Sequence, residues 1–517
     1  MKRVFSIFTL LIILFTVSSC RFSDDDNIIR YDIGSEPITL DPQAANDRAS
    51  ELILSHVLEG LVTKNQDGEI IGACAKDFSV ASDGLTYTFA LHEDLVWSNG
   101  ARLTSDDFLF AFTRIFSPET NAAYKSNFLS IKNASKILNN ELPIDNLGVF
   151  APNENTLVIQ LEYVDSEFIE NLTSVSALPC NREFFESTKG KYGADHKNII
   201  YNNRFCINDW KKNNYVTLRP NSKYRKPSEI KSDGINFYTS ESLEKEQRFL
   251  EETTDIVSLS SSSVKKLDAD KFKTIEFSCT TWVLGFNQGK EIFKNQNLRT
   301  AFTLCAQGID VTPDKDVFQS AERILPLSLN SNFESLKLTA NRSAFSLYQD
   351  ALQELKLSKL PTVSVVCPDY YDFKLYLTYL QKSWSEQLGI AVNFEVLSND
   401  DYSTVLQNGS FDIIIMPLTT YTDSPADVLS HFTTLSNFNH LSLADDDFDA
   451  LITNAIQQRD QRSQNLILYE AEKLLIESAV ITPIFHEKEY LGVNIRVEDI
   501  LISPFGPEIN FSSAYKK

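Results

Sequence analysis

Glycine is scarce in this chain. It supplies 17 of 517 residues, against a usual share of about 7%, which argues against a protein built on glycine-rich phosphate loops. No Gly-x-Gly-x-x-Gly, P-loop, His-Glu-x-x-His or Gly-x-Ser-x-Gly occurs. Positive charge is also short: 48 basic side chains face 70 acidic ones, for a net −22. An acidic surface offers little to displace phosphate counterions, so nucleic acid is not expected as a partner. The six histidines, His56, His92, His196, His431, His440 and His486, are scattered and no two stand at i, i+4. No two cysteines form a Cys-x-x-Cys pair. Zinc and thioredoxin-type chemistry therefore have no local signature, and no metal, cofactor or enzymatic activity is expected. No run is long enough to span a bilayer, which takes about 20 apolar residues.

What is present is an apolar share of 43%, ample for a large core. At about 100–200 residues per domain, the length suggests two to four domains or one multi-lobed body. Lys2 and Arg3 precede an uncharged stretch, Val4 to Val17, and then Ser18, Ser19 and Cys20. This has the form of a signal peptide, and its end resembles the bacterial lipobox, in which the cysteine is acylated and becomes the first mature residue. A plain secretory signal followed by a chance cysteine is the alternative. Residues 1–19 are thus expected to be removed, with 20–26 a polar tether carrying Asp24-Asp25-Asp26. The other cysteines, Cys74, Cys180, Cys206, Cys279, Cys305 and Cys367, permit disulfides in an exported protein, and spacing does not choose among the pairings.

Mixed α and β patterns fill the remainder. Leu85, Tyr87, Phe89 and Leu91 alternate, as do Leu157, Ile159 and Leu161, which predicts half-buried strands. Thr104-Ser105-Asp106-Asp107 has capping-box spacing ahead of a helix. Further helices are expected at 51–62, 298–306, 343–357, 373–388 and 463–477, and buried strands at 363–367, 391–396 and 412–416. Asp445-Asp446-Asp447 precedes a helical pattern and suits its positive end better than a metal. Ser258 to Ser263 reads as a loop inside a domain. Alternating helices and strands after residue 340 suggest α/β units on a partly parallel sheet.

Several segments in fixed order are more specific. They are Glu36-Pro37-Ile38-Thr39-Leu40-Asp41-Pro42, Leu58-Glu59-Gly60-Leu61-Val62, Asp67-Gly68, Asp83 to Leu91, Val96-Trp97-Ser98-Asn99-Gly100 and Leu103 to Phe108. Asn208-Asp209-Trp210, Phe286-Asn287, Leu298 to Phe302, Leu388-Gly389-Ile390, Gly409 to Asp412 and Ile481 to Phe485 follow. Together the chain resembles the oligopeptide- and dipeptide-binding lipoproteins of bacterial ABC importers.

That resemblance implies an α/β, two-lobed periplasmic-binding-protein fold with an extra inserted subdomain and a ligand cleft between the lobes. Lobe I would take residues 27–58, 178–278 and 490–517, with 59–177 inserted into it; lobe II would be 279–489. The chain would be a monomer on the periplasmic face of a bacterial membrane, anchored in the bilayer through acylated Cys20. It would deliver oligopeptides to permease subunits of an ABC transporter. A different solute (glutathione, a cell-wall peptide, another small polar molecule) is the alternative within the fold. An extracytoplasmic enzyme or structural lipoprotein is the alternative outside it.

The ligand-facing residues implied are Asn46, Asp47 and Arg48 on one wall and Leu418, Thr419, Thr420 and Tyr421 on the other, with Tyr124 and His486 nearby. Three positions depart from the family. Tyr421 stands where relatives place an aspartate against the ligand's amino group, and Leu418 replaces a tryptophan. Thr419 stands opposite Cys279 where some members have a second cysteine, so that bridge cannot form. Asn203-Arg204-Phe205 replaces a glycine-aromatic pair.

Overall fold

The computed structural model describes residues 27–517 apart from 66–67, 241, 308, 310, 312–313, 330–334, 370–372, 421, 459 and 504–508. The signal segment, Cys20, the tether, Asp67 and Tyr421 therefore lie outside the described residues. One eleven-stranded sheet runs through the molecule. Its spine is a pair of long antiparallel strands, Phe272–Phe286 and Ile481–Asn494. On one side follow Ile256–Leu259, Ile28–Asp32, Gly234–Tyr238, Tyr215–Pro220 and Phe205–Lys211. On the other come Ile413–Thr419, Val363–Pro368 and Val392–Leu397, and Phe318–Ser320 pairs with the second long strand. The pairing of the long strands shifts register between Phe277 and Thr280 and again between Trp282 and Val283. Such bulges bend and twist a ladder; the first falls where the strand passes from one half to its pairing with Ile413–Thr419, and the second lies within the second half.

Pleating explains why the 413–416 run is apolar without interruption. Ile413 and Ile415 enter one core with Trp282, Phe302 and Trp384, while Ile414, Met416 and Leu418 enter another with Phe448 and Leu475. Successive side chains point to opposite faces, so a strand buried on both faces needs apolar residues at every position. Helices Gln296–Gln307, Ala344–Glu354 and Lys374–Leu388 contribute to the first core; Asp446–Ile456 and Gln461–Glu477 contribute to the second. In the second half Glu472 is completely buried. It binds Arg323 and accepts from the backbone N–H of Ile324 at 2.7 Å.

A four-stranded antiparallel sheet lies beside the N-terminal half: Ala75–Val80, Thr86–Leu91, Thr156–Gln160 and Val149–Asn153. Tyr87, Phe89, Leu91, Leu157 and Ile159 are all buried, as their alternation predicts. Helix Ser105–Ile115 begins at Thr104, whose N–H donates to Asp107 at 2.8 Å. Asp445 caps Asp446–Ile456 by accepting from the N–H of Phe448.

Three expectations need correction. The helix expected at 51–62 is Arg48–Val57, because Asp47 caps it at the N–H of Ser50. It stops early because Asn202 and Asn203 bind the backbone of Leu58 and Glu59. The strand Val392–Leu397 is half-exposed rather than buried, since it forms an edge of the sheet. Ser258 to Ser263 is not a loop but the end of a strand followed by the short helix Ser261–Val264. All six described cysteines are free thiols. No described helix is long and apolar enough to cross a membrane.

His56 ties the C-terminal tail to the first half. Its Nδ1 donates to the carbonyl of Leu52 at 2.7 Å, and its Nε2 accepts from the N–H of Phe511 at 3.1 Å. The pair requires the neutral ring, and burial pushes the pKa down to about 4. The unfolded value is about 6.5. The stabilisation is therefore present above about pH 6.5 and is lost as the pH falls toward 4. Hydrogen exchange at Phe511, corrected for its intrinsic rate, is expected to speed up across that window; constant protection would contradict it.

Candidate functional site

The loop and helix start at Asn46, Asp47 and Arg48 lie against the long-strand spine. Asn46 is exposed, whereas Asp47 is spent on helix capping through one of its oxygens. Arg48 Nη1 donates to Glu489 at 2.9 Å. Glu489 in turn accepts from Thr280 Oγ1 at 3.4 Å, and Thr280 lies 2.9 Å from Thr419 Oγ1. A polar chain thus joins the first wall to the second across the spine.

The second wall is built mainly from backbone. Leu418 is 6% exposed and packs into the core, so its side chain is not offered to the cleft. Thr420 N–H donates to Cys279 O at 3.0 Å, and its hydroxyl donates to Thr422 O at 2.7 Å. Pairing of Thr280 with Thr419 puts Cys279 beside this wall as a thiol. His486 lies deeper in the spine, with Nδ1 3.0 Å from Thr281 Oγ1; burial pushes its pKa down to about 4, with Arg323 adding to the effect. It is not joined to the Arg48–Thr419 chain.

Tyr124 leads to a different group of residues. Its hydroxyl donates to Glu51 Oε1 at 2.7 Å, and its ring lies against Phe438 with centroids 5.3 Å apart. Glu51 is 8% exposed, and its carboxyl is pushed up to about 7, first by burial and then by Asp47 and Asp427. Asp427, on helix Pro425–Ser430, is likewise pushed up to about 6 by burial. Glu51, Asp427, Glu489 and Phe438 were not foreseen. In the sequence Glu51 is merely an acid in the first turn of a helix, and nothing local marks it.

Direct bonds bridge the halves. Ser166 N–H donates to Ile456 O at 2.7 Å, Gln464 Nε2 to Glu167 at 2.5 Å, and Asn437 Nδ2 to Ala122 O at 2.8 Å. A cavity of about 50 Å³ remains beside Arg48, lined also by Tyr31, Ser35, Leu52 and Ser258. A second of about 50 Å³, lined by Asn127, Asp165, Glu170, Thr422 and Asp427 among others, lies between the inserted region and the second half. Among the described residues no group of three or more His, Cys, Asp or Glu could hold a metal ion.

The family model for bacterial extracellular solute-binding proteins, family 5, matches residues 69–440. The dipeptide-binding protein DppE of Bacillus subtilis (strain 168) is 24% identical over 491 residues, covering 91% of this chain and 89% of that protein. The substrate-binding domain of an oligopeptide ABC transporter from Bacillus anthracis superimposes with a TM-score of 0.82 at 24% identity, covering 95% of this chain and 99% of that one. The murein tripeptide binding protein MppA of Escherichia coli gives 0.80 at 21% identity, with 95% and 99% covered. The unliganded open form of MppA gives 0.66, with 95% and 98% covered. The present structure, with its halves bridged, is less like that open form.

Proposed function

Since the chain belongs to the bacterial extracellular solute-binding proteins of family 5, we propose that it captures oligopeptides between its two halves outside the inner membrane and passes them to an ABC importer. The observation that carries this reading is the long-strand spine. Both halves of the sheet hang on Phe272–Phe286 and Ile481–Asn494, and the ends of both walls meet there. Strands that are continuous through two bodies make a hinge, and a ligand touching both bodies shifts the population toward closure. The relatives that cover nearly the whole chain are named for binding dipeptides and oligopeptides, which is the chemistry this reading takes over.

In this proposal lobe I comprises residues 27–58, 178–278 and 490–517, the inserted subdomain 59–177, and lobe II 279–489. Asn46, Asp47, Arg48, Tyr124 and Thr419 border the ligand, with Tyr421 assigned to the same wall by the family resemblance, while Leu418 and Thr420 contribute only backbone and His486 is buried behind the wall. An extended peptide would be held mainly by main-chain hydrogen bonds, each worth about 0.5–1.5 kcal/mol net, which leaves side-chain pockets tolerant. The protein would be monomeric, without catalytic activity, and held at the membrane by acyl chains on Cys20.

Calorimetric titration with a mixed pool of short peptides, paired with small-angle scattering, tests the reading. Binding is expected with a decrease in radius of gyration. It should stabilise the fold by about 2.7 kcal/mol when free ligand exceeds Kd by about 100-fold. Binding at full occupancy without compaction would argue against hinge closure; no binding by any peptide would overturn the peptide assignment.

A further inference from the structure

We infer that Ser166, Glu167 and Gln464 form a latch that holds the two halves closed, acting on capture as positioning residues that do not touch the ligand. The inference rests on the two-lobed capture reading and goes further, by giving the inserted region a part in closure that the hinge does not supply.

On helix Gln461–Glu477, Gln464, Leu468, Ala471 and Leu475 recur at helical spacing and are all buried, and the last three enter the core of the second half. Gln464 is 2% exposed, so a polar amide stands at the head of an apolar stripe. A buried amide is costly unless it is hydrogen-bonded. Its Nε2 donates to Glu167 Oε1 at 2.5 Å and to Ser166 Oγ at 3.2 Å. Both acceptors come from the inserted region, and among the described residues none of its own half bonds that amide.

The same segment caps a second helix. Ile456 is the last residue of Asp446–Ile456, and a helix end leaves its final carbonyls without an internal donor. The Ile456 carbonyl accepts from both the N–H and the hydroxyl of Ser166, at 2.7 and 2.9 Å. Asp165, 4% exposed, accepts from Ser130 Oγ at 2.6 Å and from the N–H of Glu167 at 2.9 Å. Those two bonds lie within the inserted region, so the turn that presents Ser166 and Glu167 does not depend on the second half. Asn437 Nδ2, donating to Ala122 O at 2.8 Å, joins the same two bodies at another point.

None of the latch residues belongs to the chain Arg48–Glu489–Thr280–Thr419 that links the two walls at the spine. Contacts made only in the closed form favour it whether or not a ligand is present. An enclosed ligand then leaves only when the latch opens.

Scattering of the unliganded protein, paired with calorimetric titration by tetra-alanine, trilysine and the mixed peptide pool, tests this. Glu167→Ala and Gln464→Leu are each expected to enlarge the unliganded protein. Each should also weaken both peptides by a common factor, about threefold to tenfold, as the closed fraction falls. Glu167→Gln keeps an acceptor for Gln464 and should match wild type in size and affinity; a purely electrostatic role for Glu167 would not survive that change. The two disruptive variants lie on different bodies, so a folding defect in one, visible in its melting curve, leaves the other decisive. Unchanged size in both would overturn the latch and leave peptide capture standing. Unequal weakening of the two peptides without enlargement would also overturn it, by placing these residues against the ligand. If the wild type binds neither probe nor the pool, the peptide reading fails, and the size of the unliganded variants still decides the latch.

Discussion

Replacing Arg114 with alanine is expected to cost the protein about 3–5 kcal/mol of stability, the usual penalty for stripping one partner from a buried ion pair. Arg114 is 5% exposed and meets Asp41 with both terminal nitrogens, Nη1 to Oδ1 at 2.9 Å and Nη2 to Oδ2 at 2.5 Å. Nη1 also donates to Gln43 Oε1 at 2.5 Å, and the guanidinium lies 4.3 Å from the Phe185 ring centroid. Asp41 organises the turn before the first helix: its carboxylate accepts from Gln43 N–H and its carbonyl from Ala44 and Ala45. Without Arg114, that partly buried carboxylate keeps the Gln43 N–H but loses its counter-charge. Arg114→Lys retains a charge but not the two-pronged geometry, and should fall between. Denaturant unfolding of wild type, both variants, Asp41→Ala and the Arg114→Ala/Asp41→Ala double variant measures this. A loss below about 1 kcal/mol for Arg114→Ala would place the pair among ordinary surface bridges and refute the argument.

Cys20→Ala is expected to abolish fatty-acid labelling and release the protein from the membrane fraction, or leave it as an unprocessed precursor. The stretch before Cys20 is uncharged, too short to span, and ends in Ser18-Ser19. No described helix offers another way across a bilayer. If acylation of Cys20 is the attachment, its loss cannot be compensated by the acidic body, which an anionic membrane surface would repel. One acyl chain holds a protein only marginally at about 0.8 kcal/mol per buried CH₂, so durable attachment implies more than one chain on the cysteine. Labelling and sedimentation that persist unchanged in the variant would rule Cys20 out.

The segments that carried the family resemblance mark the architecture more than the ligand. Glu36 accepts from Trp210 Nε1 at 2.7 Å, Asp41 holds Arg114, Asp107 accepts from Trp97 Nε1 at 3.3 Å, and Glu59 holds Arg225 and Tyr224. Except for Asp107, whose tryptophan is ten residues away, these acids are fixed by partners from distant parts of the chain. The motifs were therefore sufficient to name the fold and insufficient to name the site. The resemblance placed Leu418 on the ligand wall, where pleating turns its side chain into the core beside Met416.

By itself the sequence determined the class of structure, the strand faces around Phe89 and Ile159, the helix starts at Thr104 and Asp445, and the absence of any motif for catalysis or metal. Those properties are written within a few residues, in side-chain periodicity and in caps that bond their own turn. Only the tertiary structure decided which acids lack a counter-charge. Glu472 and Glu51 are both buried, yet the first is matched by Arg323 while the acids facing the second are of its own sign. Glu472 is matched by an arginine brought back from 149 residues away in the same half, while Glu51 meets Asp427 from the other half, and local spacing carries no record of either meeting.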